Sequence, residues 1–256
     1  MARWGRIIVF LLVLAGVGAA GLHWWRTHNI SAVQRGWTVA HENGCFTCHG
    51  PGGIRGMLDP GHGLQDVPPW SRDLITMYVE NEGEIREWIL DGMPGRLRKD
   101  PQQMALREKA AILMPAYRGI LSERQLRDVV AYVKAASDFE RPEDEKAEEG
   151  RQVGVKFGCF NCHGPQGRGS MPNVRAFKGY IPSWDGADFV ELAKDDAEIR
   201  EWVLDGITQR FRNNPLARWF LTRQPVKMPA YRGHISDAEV DRLLDYIHWL
   251  RKHPYD

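Results

Sequence analysis

The sequence Cys45-Phe46-Thr47-Cys48-His49 returns later in the chain as Cys159-Phe160-Asn161-Cys162-His163. These two pentapeptides contain all 4 cysteines of the 256 residues, and a histidine follows each cysteine pair directly. On a helix, residues at positions i, i+3 and i+4 lie on the same face. The spacing therefore predicts two sites, each with two thiols and an imidazole directed at the same group.

The pattern C-x-x-C-H is typical of c-type haem attachment, in which the two cysteines form thioethers with the haem and the histidine binds iron. Zinc sites with two C-x-x-C pairs usually have about 15–20 residues between the pairs, whereas Cys48 and Cys159 are 111 positions apart. A redox-active cysteine pair or a disulfide would not need the histidines. The residues expected to attach two haems are Cys45, Cys48, His49, Cys159, Cys162 and His163.

The composition is that of an ordinary globular protein, with 43% hydrophobic and 26% charged residues and room for one or two domains. The formal net charge is only +1. A chain that binds nucleic acid is usually basic, so we expect no nucleic-acid partner.

The apolar run from Ile7 to Trp25 predicts a transmembrane helix. Its 19 residues would span about 28 Å at ~1.5 Å per residue, close to the ~30 Å hydrocarbon core of a bilayer. Arg3 and Arg6 precede the run and predict a cytoplasmic N-terminus. The alternative is a signal peptide cleaved after the small residues Gly18-Ala19-Ala20. In both cases the rest of the chain is expected on the outer, periplasmic side of a bacterial cytoplasmic membrane.

The rest of the chain is an internal repeat. A shift of 114 positions aligns residues 36–135 with 150–249 without a gap. Met114-Pro115-Ala116-Tyr117-Arg118-Gly119 returns unchanged as Met228 to Gly233. Repeats of this length indicate a duplicated structural unit. The expected regions are a membrane anchor or signal peptide over 1–28, a first domain over 29–140 and a second domain over 141–256.

Both copies have the patterns of helices, and no segment shows the alternation of a strand. Ser31-x-x-Gln34, Ser122-x-x-Gln125 and Ser236-x-x-Glu239 are capping-box sequences that begin helices. Gly36 and Gly150 lie inside predicted helices, where glycine costs roughly 1 kcal/mol relative to alanine. These glycines predict a close helix crossing in each copy. The expected fold class is all-α.

Each repeat has C-x-x-C-H after an N-terminal helix, then Met-Pro-Ala-Tyr, then a Ser-capped last helix. This order resembles class I cytochrome c, and the resemblance covers each repeat almost completely. The resemblance implies a haem in an apolar crevice, with histidine and methionine as axial ligands. It implies that Met114 pairs with His49 and that Met228 pairs with His163. Methionine opposite histidine raises the reduction potential. The expected cofactors are thus two covalent haem c groups, each with six-coordinate iron.

Other residues compete for the sixth position on iron. Met57 and Met171 also repeat, eight residues after each haem histidine, and eight extended residues can reach about 26 Å. The unrepeated His41, His62, His234 and His248 would each give a bis-histidine haem in one domain only.

Several repeated residues are candidates to contact haem propionates, because a carboxylate inside a fold needs a charged or hydrogen-bonded partner. Each could equally be a solvated or packing residue. They are Arg96 and Arg210, Arg98 and Arg212, Arg118 and Arg232, Trp70 and Trp184, and Tyr117 and Tyr231.

The two copies differ most in one segment. Residues 93–113 are polar, whereas residues 207–227 contain Phe211, Trp219 and Phe220. This difference predicts either a docking surface for a partner or the membrane, or a local change in packing.

These observations favour electron transfer, because the sequence contains no acid–base pair or nucleophile motif. We expect a membrane-anchored dihaem protein, a carrier or a subunit of an integral membrane complex, that relays electrons between respiratory or photosynthetic redox partners. The alternative is a dihaem peroxidase-type enzyme with one open haem. The two identical Met-Pro-Ala-Tyr-Arg-Gly segments argue against that alternative.

Overall fold

The computed structural model describes residues 2–59 and 66–255, so the candidate ligand His62 lies outside the described residues. Helix α1 (Ala2–Thr27) contains the predicted apolar run. Its segment Arg6–Trp24 has a mean hydropathy of 2.2 and no buried residue, and it is the one described helix that is long and apolar enough to cross a membrane. A signal sequence passes the same test, so both interpretations of the N-terminus stay open.

The described part of the first copy is helical apart from one pair of short strands. Its strands, β1 (Met57–Leu58) and β2 (Asp66–Val67), pair antiparallel, with Met57 opposite Val67. A 3₁₀ turn at Pro51–Gly53 follows the C-x-x-C-H segment. The helices are α2 (Ala32–Glu42), α3 (Cys45–His49), α4 (Arg72–Tyr78), α5 (Glu82–Asp91), α6 (Gly95–Arg98), α7 (Pro101–Lys109) and α8 (Glu123–Ala136).

The second copy repeats the order of the helices. A 3₁₀ turn at Pro165–Gly167 again follows the C-x-x-C-H segment. The helices are α9 (Glu145–Lys156), α10 (Phe160–His163), α11 (Phe189–Leu192), α12 (Asp196–Asp205), α13 (Gln209–Arg212), α14 (Pro215–Arg223) and α15 (Asp237–Lys252). The chain is therefore mostly helical, as its sequence predicts.

The serines expected to begin helices do so. Ser122 and Ser236 form complete capping boxes with Gln125 and Glu239, and the Ser31 side chain accepts a hydrogen bond from the backbone N–H of Gln34. These bonds satisfy donors that the first turn of a helix leaves without an intrahelical partner.

The first and last helices of each copy cross closely, α2 on α8 and α9 on α15. A Cβ atom added to Gly36 would overlap the carbonyl oxygen of Asp128, and one added to Gly150 would overlap that of Arg242. The crossings predicted from the two glycines are confirmed. Apolar side chains of α8 and α15 next to the crossings are buried, and they form much of the core of each copy.

Alanine at Gly36 tests the crossing in the first copy. The added methyl group would push α2 away from α8, and overpacking of this kind typically costs about 1–3 kcal/mol. We expect Gly36→Ala to lower the free energy of unfolding by that amount, measured in denaturant. Thr38→Ala, on the exposed side of α2, is the control and should stay within about 0.5 kcal/mol of wild type. A Gly36→Ala protein as stable as the control would contradict the crossing geometry.

Candidate haem sites

Each copy has an apolar cavity beside its C-x-x-C-H segment. The cavity of the first copy has a volume of about 250 Å³, and that of the second about 380 Å³. The structure brings all eight predicted site residues to the walls of these cavities. They are Cys45, Cys48, His49 and Met114 in the first copy, and Cys159, Cys162, His163 and Met228 in the second. Their roles as haem ligands stay predictions.

The two histidines are oriented by backbone carbonyl groups. Nδ1 of His49 lies 3.0 Å from the carbonyl oxygen of Pro68, and Nδ1 of His163 lies 3.4 Å from that of Pro182. With the proton on Nδ1, this contact leaves Nε2 as the ring nitrogen that can bind a metal. Burial lowers the pKa of His49, and it lowers the pKa of His163 to about 4. Both rings are therefore neutral at pH 7, the form that a metal ion requires.

A tryptophan packs beside each histidine. The ring centroids of Trp70 and His49 are 4.8 Å apart, and those of Trp184 and His163 are 5.0 Å apart. Gly53 and Gly167 make room for these indoles, because a Cβ atom at either position would overlap the tryptophan ring. Trp70 and Trp184, which were candidates to contact a propionate, thus form the wall behind each imidazole.

No disulfide joins the four cysteines, of which Cys159 is buried and the other three are partly buried. Burial raises the pKa of Cys45, and it raises the pKa of Cys159 to about 11. Catalytic C-x-x-C pairs need a thiolate, and a lowered pKa supplies it. The raised pKa of Cys45 and of Cys159, the first cysteine of each pair, therefore disfavours a thiol-redox site.

Backbone hydrogen bonds hold the segment that carries each methionine against the helix before it. The N–H of Tyr117 donates to the carbonyl of Ile89 at 3.0 Å, and that of Arg118 donates to Leu90 at 3.1 Å. Gly92 ends α5 in a left-handed conformation, φ = 70°, and a Cβ atom there would overlap the carbonyl oxygen of Met114.

The second copy holds Met228 in the same way. Tyr231 donates to Val203 and Arg232 to Leu204, each at 3.0 Å, and Gly206 takes the place of Gly92. Each methionine is thereby fixed at the wall of its cavity.

The competing ligands lie elsewhere. Among the described residues, neither Met57 nor Met171 lines either of the two cavities, and none of the described candidate histidines does. Met57 is in β1 with 39% of its surface exposed. His41 stacks on Trp37, and His248 lies 2.9 Å from Asp196. The geometry gives these residues no place beside either cavity.

One residue that sequence reasoning missed is Met93. It is only 4% exposed and lines the first cavity, whereas its counterpart Ile207 is not part of the second cavity wall. It directly follows Gly92, which ends α5, and an apolar residue just after this helix-ending glycine is the sequence signal that could have found it.

Five of the six arginines considered for propionate contacts, all except Arg212, bind other groups of the protein. Nε of Arg96 lies 2.7 Å from Glu84, and Nη2 of Arg210 lies 2.8 Å from Glu198. Arg118 and Arg232 form two-bond pairs with Asp91 and Asp205, and Arg98 donates to the carbonyl of Met93. The cationic residues that line the cavities are Arg107, Lys178 and Lys227.

The tyrosine hydroxyls are also used within the protein. Tyr117 donates to the carbonyl of Asn43 at 3.0 Å, and Tyr231 donates to that of Phe157 at 3.1 Å. These bonds tie each methionine segment to the chain just before the first cysteine. The tyrosines therefore fix the width of the cavities.

Two helical domains, each with a C-x-x-C-H segment, a carbonyl-oriented imidazole and a methionine around one apolar cavity, define a tandem haem-attachment protein. The family model for cytochrome c matches residues 33–137 and again residues 147–251. The chain belongs to the cytochrome c family. Its domains imply covalently bound haem c, and the residues around both cavities fit that group.

No curated protein matches the chain. Among solved structures, a chain of the Kuenenia stuttgartiensis reducing HAO-like protein complex is 18% identical, with 85% of this chain and 96% of that one covered. Its TM-score is 0.27. A likeness at that score supports no conclusion about this chain.

The Arg210–Glu198 pair predicts a dependence of stability on acid. The hydrogen bond from Arg210 holds the pKa of Glu198 at about 2, below the ordinary glutamate value of about 4.3. A carboxyl group with a lowered folded-state pKa stabilises the fold above its unfolded pKa, and this contribution is lost as the pH falls through the folded pKa.

The melting temperature of wild type should therefore fall more steeply between pH 4.5 and pH 2 than that of Glu198→Gln. Equal slopes would contradict the pairing. Glu143→Gln, in the exposed connection between the copies, is the control and should retain the wild-type slope.

Proposed function

We propose that the protein transfers electrons through two covalently bound haem c groups, one in each copy. The observation that carries this proposal is the duplicated cavity, whose walls have the same C-x-x-C-H residues and the same methionine segment in both copies. When bound, haem c supplies an iron centre that takes up and releases one electron.

The protein's own residues have distinct roles in this proposal. Cys45 and Cys48 would attach the first haem, and Cys159 and Cys162 the second, so that neither can dissociate. Nε2 of His49 and of His163 would bind iron, because Nδ1 of each is directed to a proline carbonyl. Met114 and Met228 would be the second protein ligands of the two irons.

The apolar walls of the cavities support electron transfer. Side chains such as Ile85, Val129 and Leu243 line them and would keep water away from the iron. Burial, axial ligand and hydrogen bonding are the means by which a protein tunes a haem potential. A rigid, dry site also changes little in structure when its charge changes, which favours rapid electron exchange.

An electron carrier fits these sites better than an enzyme does. A peroxidase-type enzyme needs one iron with an open or displaceable ligand, and its two domains would have to differ there. The segments that hold Met114 and Met228 have the same hydrogen bonds in both copies. This symmetry supports two closed haems and no substrate site.

We place the protein at the outer face of a bacterial cytoplasmic membrane. The support is α1, whose apolar segment could span a bilayer, together with the need to attach haem c outside the cytoplasm. The redox partners would be respiratory or photosynthetic proteins, in particular an integral membrane complex that the chain serves as a carrier or a subunit.

Methionine replacement tests the axial ligands. Ferric haem with methionine bound to iron has a weak near-infrared absorption band, which a second histidine abolishes. We expect Met114→His and Met228→His each to remove the part of the band that comes from one haem. The double variant should lose the whole band. Met57→Leu and Met171→Leu, at the repeated methionines away from the cavities, should leave it intact. A band that survives in the double variant would rule out both ligands.

N-terminal sequencing of the membrane-bound protein tests the anchor. A retained anchor predicts a mature chain that begins at Met1 or Ala2 and stays with the membrane after a high-salt wash, because salt weakens charge interactions but not the burial of apolar surface. A mature chain that begins near Gly21 would show a cleaved signal peptide instead.

A further inference from the structure

Asp138 lies where the last helix of the first copy meets the second copy. The 3₁₀ turn Pro165–Gly167, directly after the haem histidine His163, packs against α8. In this turn the side-chain amide of Gln166 donates to Oδ1 of Asp138 at 2.7 Å. Oδ2 of Asp138 lies 3.1 Å from Nη1 of Arg151, on α9 of the second copy. One carboxylate thus binds two elements of the other copy.

The surroundings of Asp138 hold it in place. Nη1 of Arg72 donates to the backbone carbonyls of Asp138 and Phe139 at 2.7 and 2.8 Å, and Arg141 pairs with Oδ2 of Asp138 at 2.5 Å. These contacts orient the Asp138 carboxylate independently of its bond to Gln166.

Both hydrogen-bonded residues have an unusual backbone conformation. Asp138 has φ = 55° and Gln166 has φ = 56°, and only one other described non-glycine residue, Arg175, has a positive φ. The counterpart of Gln166 in the first copy is Gly52, with φ = 64°, for which this conformation is free of strain. A non-glycine residue in this conformation is strained. The side-chain bond between the copies offsets that strain at Asp138 and Gln166.

Two further contacts join the copies. The ring of Tyr255 lies between Nζ of Lys134, on α8, and the guanidinium of Arg168, at 4.4 and 3.9 Å from its centroid. The backbone N–H of Ser31 donates to Oγ of Ser170 at 3.0 Å. The copies therefore meet at three separate places along their boundary.

We infer that Asp138 and Gln166 are positioning residues that hold the two haem sites in one fixed arrangement for electron exchange between them. The turn Pro165–Gly167, which contains Gln166, directly follows His163. Helix α8, against which this turn packs, lines the first cavity with Val129 and Val133. The inference rests on the proposed function, because the distance between the sites affects electron exchange only if both hold haem. It excludes two independent domains on a flexible connection.

Asp138→Gly and Gln166→Gly test the inference. Each removes one partner of the bond, while glycine accepts the left-handed backbone, so neither variant should unfold its domain. Arg175→Gly is the matched control, because Arg175 has the same backbone conformation (φ = 70°) but is exposed and forms none of the contacts between the copies described above. The full haem-loaded chain in mild detergent is used throughout.

Three measurements are compared: the distribution of distances between the ferric haems by pulsed electron paramagnetic resonance, the rate of electron exchange between haems after rapid reduction, and cleavage at Glu143 by a glutamate-specific protease. In both boundary variants we expect a broader distance distribution, slower exchange, and cleavage about tenfold faster. That factor corresponds to about 1.4 kcal/mol, and cleavage follows the population of the opened form. Arg175→Gly should match wild type.

Unchanged distances and exchange rates in the two boundary variants would overturn the inference. So would faster cleavage with an unchanged exchange rate, because the contact would then only protect the connection. Each variant should retain the haem absorption spectrum and potentials of wild type. Wild-type protein that lacked covalent haem would instead refute the proposed function, so the two failures can be told apart.

Discussion

The structure depends on the close approach of the first and last helices in each copy. Glycine at positions 36 and 150 lets one backbone rest on the carbonyl groups of another, and no larger residue could occupy either position without separating the helices. The approach brings the ends of two distant segments together. It places Val129 and Val133 of α8, or Leu243 and Ile247 of α15, over the C-x-x-C-H segment as one wall of the cavity.

The opposite wall depends on how a short helix ends. Gly92 and Gly206 turn the chain in a left-handed conformation at the ends of α5 and α12. The carbonyl groups of these helices then accept hydrogen bonds from the methionine segments. Tyr117 and Tyr231 connect those segments to the residues before the first cysteine of each C-x-x-C-H segment. The same hydrogen bonds therefore form this wall in both copies, because the methionine segments are identical.

Much of this could be predicted from the sequence, because the signals are local or repeated. The capping serines and the C-x-x-C-H spacing act within a few residues, and the glycines of the crossings recur inside predicted helices of both copies. The helices α6, α7, α13 and α14 were not predicted, although Asp100-Pro101 and Asn214-Pro215 form an N-cap followed by proline in the first turn. The partners of Arg96 and Arg210 could not be predicted either. Their carboxylates lie 12 positions away in the sequence, and only the fold shows which charged groups meet. The contact of Asp138 with Gln166 could not be predicted from the sequence either. It joins one copy to the other, and alignment of the two copies shows only what they share.

We propose that each cavity holds one covalently attached haem. Intact mass spectrometry of the full chain under denaturing conditions is the sharpest test, since only covalent haem survives unfolding. We expect a polypeptide that carries two haems, one haem in a variant with Cys45 and Cys48 replaced by alanine, and one in a variant with Cys159 and Cys162 replaced. A wild-type mass equal to that of the bare polypeptide, or of the polypeptide with a single haem, would contradict it.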